Sequence, residues 1–143
     1  GFKGSAKELG LPKTNLWVYP NADHEGNYEK FLADPMGPMA MMYISFPSAK
    51  DPQWDKNYPG KSTVEVITLA KYDWFAKWAG ETWNQRGEEY EALKKHFMDQ
   101  MLEGLFKQMP QLRDKLDYCE LSTPLSTQWF NMYDRGELYG GPT

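Results

Sequence analysis

Cysteine is almost missing from this chain: one thiol, Cys119, in 143 residues. That excludes an intrachain disulfide and any multi-thiolate metal site. Histidine is nearly as scarce, with only His24 and His96, too few for most acid–base schemes. Lys and Arg form no run, and their 16 are outnumbered by 20 Asp and Glu, for a net charge of −4. A binder held by phosphate contacts needs the opposite balance, so no nucleic-acid partner is expected. The longest apolar stretch, residues 39–46, falls far short of the ~20 residues of a membrane span. No charged leader with an apolar core and cleavage site is present. The chain opens on Gly1 and ends in turn chemistry at Tyr139-Gly140-Gly141-Pro142-Thr143, and the expectation is a piece excised from a longer protein.

What is present suffices for one domain, residues 1–143, with 41% apolar residues. A chain this long buries roughly 70% of the surface its unfolded form exposes. Leu16-Trp17-Val18-Tyr19, closed by Pro20, predicts a short strand, and residues 21–27 a loop. Residues 28–33 predict one or two helical turns. Residues 39–46 predict a strand covered on both faces, and 62–70 a second strand after a 15-residue ordered connection without pattern of its own. Tyr72, Phe75, Trp78 and Ala79 have helical spacing before Gly80. Residues 88–109 carry apolar side chains at Tyr90, Leu93, Phe97, Met101 and Leu105, and again at Met98, Leu102, Phe106 and Met109. Two adjacent rows make a broad stripe on one long amphipathic helix. A further strand is expected over 116–122, with a buried, inert Cys119, and a short helix over 123–132 capped by Thr123. The fold class is α+β: a mainly antiparallel or mixed sheet backed by one long helix.

Catalytic signatures are missing. The glycines never fall into G-x-G-x-x-G or a Walker spacing. His24-Glu25-Gly26-Asn27-Tyr28 lacks the second His of a zinc-protease helix, and Ser48-Ala49-Lys50 is one residue short of S-x-x-K. No catalytic residue and no metal site is assigned. Six Trp, nine Tyr, seven Phe and eight Met mostly fill a core. Aromatics outside the helical stripe, with adaptable Met, suit the wall of a cavity for a long apolar ligand.

Ser45-Phe46-Pro47-Ser48-Ala49-Lys50-Asp51-Pro52, Pro59-Gly60-Lys61-Ser62-Thr63, Thr68-Leu69-Ala70 and Trp74-Phe75 stand in order along the chain. Arg86-Gly87, Tyr90, Leu93-Lys94, Pro110-Gln111-Leu112, Thr123-Pro124-Leu125 and Arg135-Gly136-x-x-Tyr139-Gly140 follow. This ordered set resembles the retinol saturase branch of the carotenoid-desaturase and carotenoid-isomerase flavoproteins, across essentially the whole chain. Lys71 stands where that pattern has proline.

The resemblance implies a two-domain architecture like that of amine oxidases: a Rossmann-type domain holding FAD, and a substrate domain with a hydrophobic tunnel. This chain corresponds to part of the substrate domain, without the FAD-binding domain, so it is not expected to bind FAD alone. The implied activity is saturation, desaturation or isomerisation of C=C bonds in a retinoid, carotenoid or related polyene, with the difficult chemistry carried by the cofactor. Phe46, Trp129, Phe130 and Tyr133 are the candidate substrate-lining residues. Arg135, Gly136, Tyr139 and Gly140 are the candidates for approach to the flavin, with a surface salt bridge the competing role for Arg135. Lys50 and Asp51 are expected to pin a loop. Expected partners are an apolar polyene and the remainder of the parent flavoprotein. The expected location is cytoplasmic, with membrane contact open because no amphipathic basic helix demonstrates it. The competing function is a free-standing aromatic-rich module that binds a ligand or protein without redox chemistry.

Overall fold

The computed structural model describes residues 1–82 and 85–137. Its elements are β1 (Phe2–Lys3), β2 (Leu16–Val18), α1 (His24–Ala33), β3 (Met42–Ser45), α2 (Pro47–Lys50) and α3 (Trp54–Asn57), then β4 (Lys61–Ser62), β5 (Glu65–Ile67), α4 (Gly87–Gln108) and α5 (Pro124–Asn131). Single 3-10 turns lie at Tyr72–Trp74, Ala76–Trp78 and Pro110–Leu112. β3 is the middle strand of an antiparallel sheet in the order β2-β3-β5, and β1 pairs antiparallel with β4. The α+β class holds: small antiparallel sheets accompany one long helix.

The alternation of a strand explains the sheet's two faces. Leu16, Ile44 and Val66 stand in register and face inward; Trp17 and Tyr43 stand opposite each other on the outer face, their rings 4.9 Å apart and edge to face. Helix α4 then crosses two cores. Its C-terminal half gives Leu105 and Phe106 to a cluster with Phe2, Leu11, Ile44, Phe46 and Leu112. Its N-terminal half gives Tyr90 and Phe97 to a second cluster with Phe31, Phe75, Trp78 and Leu125. Each buried aromatic or leucine of this kind contributes about 1.5–3 kcal/mol of transfer free energy.

Several boundaries depart from expectation. Helix α1 starts at His24 rather than at residue 28, because the Asp23 carboxylate accepts the Gly26 N–H at 3.0 Å and caps the first turn. The strand expected over 62–70 is two strands in two sheets. Ser48 causes the break: its Oγ donates to the Thr63 carbonyl at 3.2 Å and accepts the Thr63 N–H at 3.0 Å, removing both backbone groups from any ladder. The 47–61 connection is ordered, as expected, but contains two helices of four residues each. The 72–79 segment winds as two 3-10 turns rather than an α-helix.

The strand expected over 116–122 does not form. Only Leu116 bridges, to Phe2, and beyond the Asp117 and Tyr118 N–H groups, which both reach Gly1 O, the run has no ladder neighbour among the described residues. Cys119 therefore sits in irregular chain and is exposed, not buried. Helix α5 follows expectation closely. Thr123 and Ser126 form a reciprocal capping box, and Pro124 takes the first helical position.

Candidate functional site

An apolar groove of about 490 Å³ runs along α4. Met98, Met101, Leu102 and Leu105 make its floor, at the i, i+3, i+4, i+7 spacing that puts side chains on one helical face. Val64 and Val66 of the β5 segment form one wall, and Leu116 and Leu121 the other. Val66 faces the floor because it shares the inward face of the sheet with Ile44. Trp54 also lines it, its indole N–H donating to the Lys61 carbonyl at 2.9 Å. Its polar lining comes from Gly1, Thr63, Glu65, Tyr118, Cys119 and Glu120.

Glu65, Tyr118, Cys119 and Glu120 are the titratable side chains of its lining. The Tyr118 phenol donates to Glu120 at 2.8 Å, and that hydrogen bond to a carboxylate raises its pKa above the ordinary value of 10.0. Desolvation raises the Cys119 thiol above 9.0, with the nearby chain-terminal amine pulling the other way, so the thiol is protonated near neutral pH. Neither histidine lines the groove. Among the described residues no three His, Cys, Asp or Glu side chains gather as a metal site. An extended apolar molecule with one polar end matches such a lining.

The expected lining residues lie elsewhere. Phe46 is fully buried in the core that also holds Leu105, so it backs the groove floor without surfacing in it. Trp129 and Phe130 are 55% and 65% exposed on α5, and Tyr133 is half-buried just past that helix. The structure does not bring Phe46 together with the other three. The groove floor takes Met101 and Leu105 from the first row of the α4 stripe and Met98 and Leu102 from the second.

In the described part of the Arg135–Gly140 segment, Arg135 and Gly136 make contacts within this chain. Arg135 pairs with the Asp73 carboxylate and lies 5.2 Å from the Tyr72 ring centre. At Gly136, with φ of +67°, a Cβ would fall 2.0 Å from the Pro124 carbonyl oxygen. Its close backbone approach is therefore made to the start of α5. Tyr139 and Gly140 lie outside the described residues. Lys50 donates to Ser45 Oγ at 2.9 Å and to Asn15 Oδ1, while Asp51 accepts the Gln53 N–H at 2.8 Å. Both residues hold their loop.

The chain is 33% identical over 143 residues to a human protein named all-trans-retinol 13,14-reductase, covering 97% of this chain and 23% of that one. A zebrafish protein of the same name is 32% identical over 148 residues, covering 98% of this chain and 24% of its own length. A second zebrafish protein, named inactive all-trans-retinol 13,14-reductase, is 33% identical over 143 residues, covering 97% and 23%. The chain thus spans about a quarter of the length of the curated relatives it matches. The similarity extends over nearly all of this chain's residues. No protein-family model matches it, and no solved structure does.

Proposed function

We propose that this chain is the substrate-binding portion of a longer FAD-dependent oxidoreductase that acts on a C=C bond of a retinoid or related polyene. The observation that carries the reading is the groove on α4, lined mainly by apolar side chains, in a chain similar to proteins named for all-trans-retinol. A polyene alcohol has that shape and polarity. Saturating or isomerising a C=C bond is chemistry that a redox cofactor supplies. The residues here would hold the chain straight, exclude water from it and fix which bond is presented.

In this reading the flavin is bound mainly by parts of the longer protein beyond this chain, with Arg135, Gly136, Tyr139 and Gly140 the candidates from this chain. Trp129, Phe130 and Tyr133 form a second apolar surface that the rest of the protein closes over, and Phe46 keeps the groove floor rigid. Isolated, the chain would bind without turnover.

Titrating all-trans-retinol into the 143-residue chain while following tryptophan emission tests the groove. Saturable quenching is expected, transmitted in part from Trp54. Leu102→Arg should abolish it, and Met98→Trp, which fills the space with another apolar group, should weaken it without a folding penalty. Wild-type protein that shows no saturable response overturns the groove assignment. The visible spectrum of the longer protein tests the cofactor: a flavin band supports the oxidoreductase reading, and colourless protein that still binds retinol favours a binding module.

A further inference from the structure

Arg86 is only 6% exposed, yet among the described residues no acid pairs with it. The ion pairs among the described residues are Lys3–Asp117, Lys77–Glu89, Lys95–Asp99, Arg113–Glu103 and Arg135–Asp73. Outside the description stand Trp83, Asn84 and residues 138–143, which contain no Asp or Glu. No side-chain carboxylate of this chain therefore pairs with Arg86. Its contacts are neutral: one terminal nitrogen donates to Tyr90 Oη at 3.4 Å, and the guanidinium lies 5.2 Å from the centre of the Tyr90 ring. Its Nε is buried and has no hydrogen-bond partner. A guanidinium removed from water without a counter-charge is unfavourable, and natural proteins pair such groups.

The surroundings add positive charge. Arg86 is the N-cap residue of α4, and Tyr90, in the first turn, shares a 2.8 Å hydrogen bond with Thr123 Oγ1. Thr123 is itself buried and caps α5. The start of α5 thus lies within side-chain reach of the first turn of α4, and a helix start carries the positive end of its dipole. Lys94 stands 5.6 Å from the same tyrosine ring. The acids of that turn are turned away: Glu89 pairs with Lys77 at 2.6 Å and Glu88 is exposed.

We propose that Arg86, with the first turns of α4 and α5, forms one half of an oxyanion site. The other half is a phosphoryl or carboxylate group brought by a ligand or by chain beyond these 143 residues. The unpartnered Nε is the donor it would meet, and the Tyr90–Thr123 pair fixes the guanidinium in place. The site lies in the second core, away from the groove, and does not depend on the retinoid reading.

The test uses the 143-residue chain with 15N-labelled arginine, titrated at constant ionic strength with inorganic phosphate and, separately, with acetate. The Nε–Hε resonance of Arg86 is the one lost in Arg86→Gln; Arg113 and Arg135, exposed and already paired, serve as internal controls. A saturable shift confined to Arg86 is expected. Stronger response to phosphate identifies a phosphoryl ligand, stronger response to acetate a carboxylate, and either supports the site. No shift, or one shared in proportion by the two control arginines, overturns it. A second measurement is independent of assignment. Arg86→Met should melt no lower than wild type in chloride and should lose the anion-dependent rise in Tm seen in wild type. A sharp fall in Tm for Arg86→Met, with no anion dependence in wild type, makes Arg86 a structural residue and overturns the proposal.

Discussion

Gly104 and Met42 contend for one space: a Cβ on Gly104 would lie 2.0 Å from Met42 Cε and 2.7 Å from its sulfur. That closeness sets the distance between α4 and the middle strand of the sheet. Because the obstructing atoms are the end of a flexible side chain, the clash is relievable by changing Met42. Gly104→Val is expected to destabilise the protein by about 1–3 kcal/mol through overpacking. Met42→Ala in the same chain should recover part of that loss, a coupling of roughly 0.5–3 kcal/mol in a double-mutant cycle read by urea unfolding. Strict additivity of the two changes would refute the shared contact.

Gly136 meets backbone rather than a side chain, so no second substitution can relieve it. Gly136→Ala combines a left-handed φ of +67° with a Cβ placed 2.0 Å from the Pro124 carbonyl oxygen. The expected cost is about 1–3 kcal/mol, seen as a lower urea midpoint with an unchanged m-value. An unaltered midpoint would mean that the turn after α5 does not pack on that helix's start.

His96 carries a buried Nε2 without a hydrogen-bond partner, its ring edge-on to Phe97. Replacing it by leucine removes the orphaned polar atom while keeping an apolar body on the helix. His96→Leu should therefore stabilise by about 1 kcal/mol, measured as a higher melting temperature. A loss of stability would show that the imidazole has a partner in solution.

Acid should weaken the fold through three exposed carboxylates. Glu8 is held below its ordinary pKa of 4.5 by the Ser5 N–H and, secondarily, its hydroxyl. Glu89 is held below 4.5 by its hydrogen bond from Lys77, and Glu103 by its hydrogen bonds from Arg113. Depressed folded values mean that the unfolded chain binds protons first as pH falls. Their stabilisation is complete above about pH 5 and is lost as pH drops through the folded values. Melting temperatures recorded between pH 6 and pH 3 should fall, and Glu103→Gln combined with Glu89→Gln should flatten the curve. Both pairs are solvent-exposed, so added salt should shrink the effect.

The elements whose signals are local were legible in the sequence. The α4 stripe and the Thr123-Pro124 start of α5 needed nothing but spacing and capping chemistry. What escaped was decided across the chain. Asp23 overrode the breakers Gly26 and Asn27 by capping α1. Ser48, 15 residues upstream, divided one expected strand into two. Residues 116–122 have strand composition but, past Leu116, little beside them to pair with. The groove was half-visible, since the Met98–Leu105 row could be seen while the valines facing it belonged to a strand whose register only folding sets. Trp129 and Phe130, candidates through the resemblance, stand exposed on α5, and composition carries no information on which side of a helix meets the core.

The shared position of α4 has a further consequence for how this molecule comes apart. One rod of 22 residues is anchored in both clusters. Neither cluster can lose its packing without freeing side chains that the other needs. Heat should therefore melt the two halves together, in a single transition whose calorimetric and van't Hoff enthalpies agree.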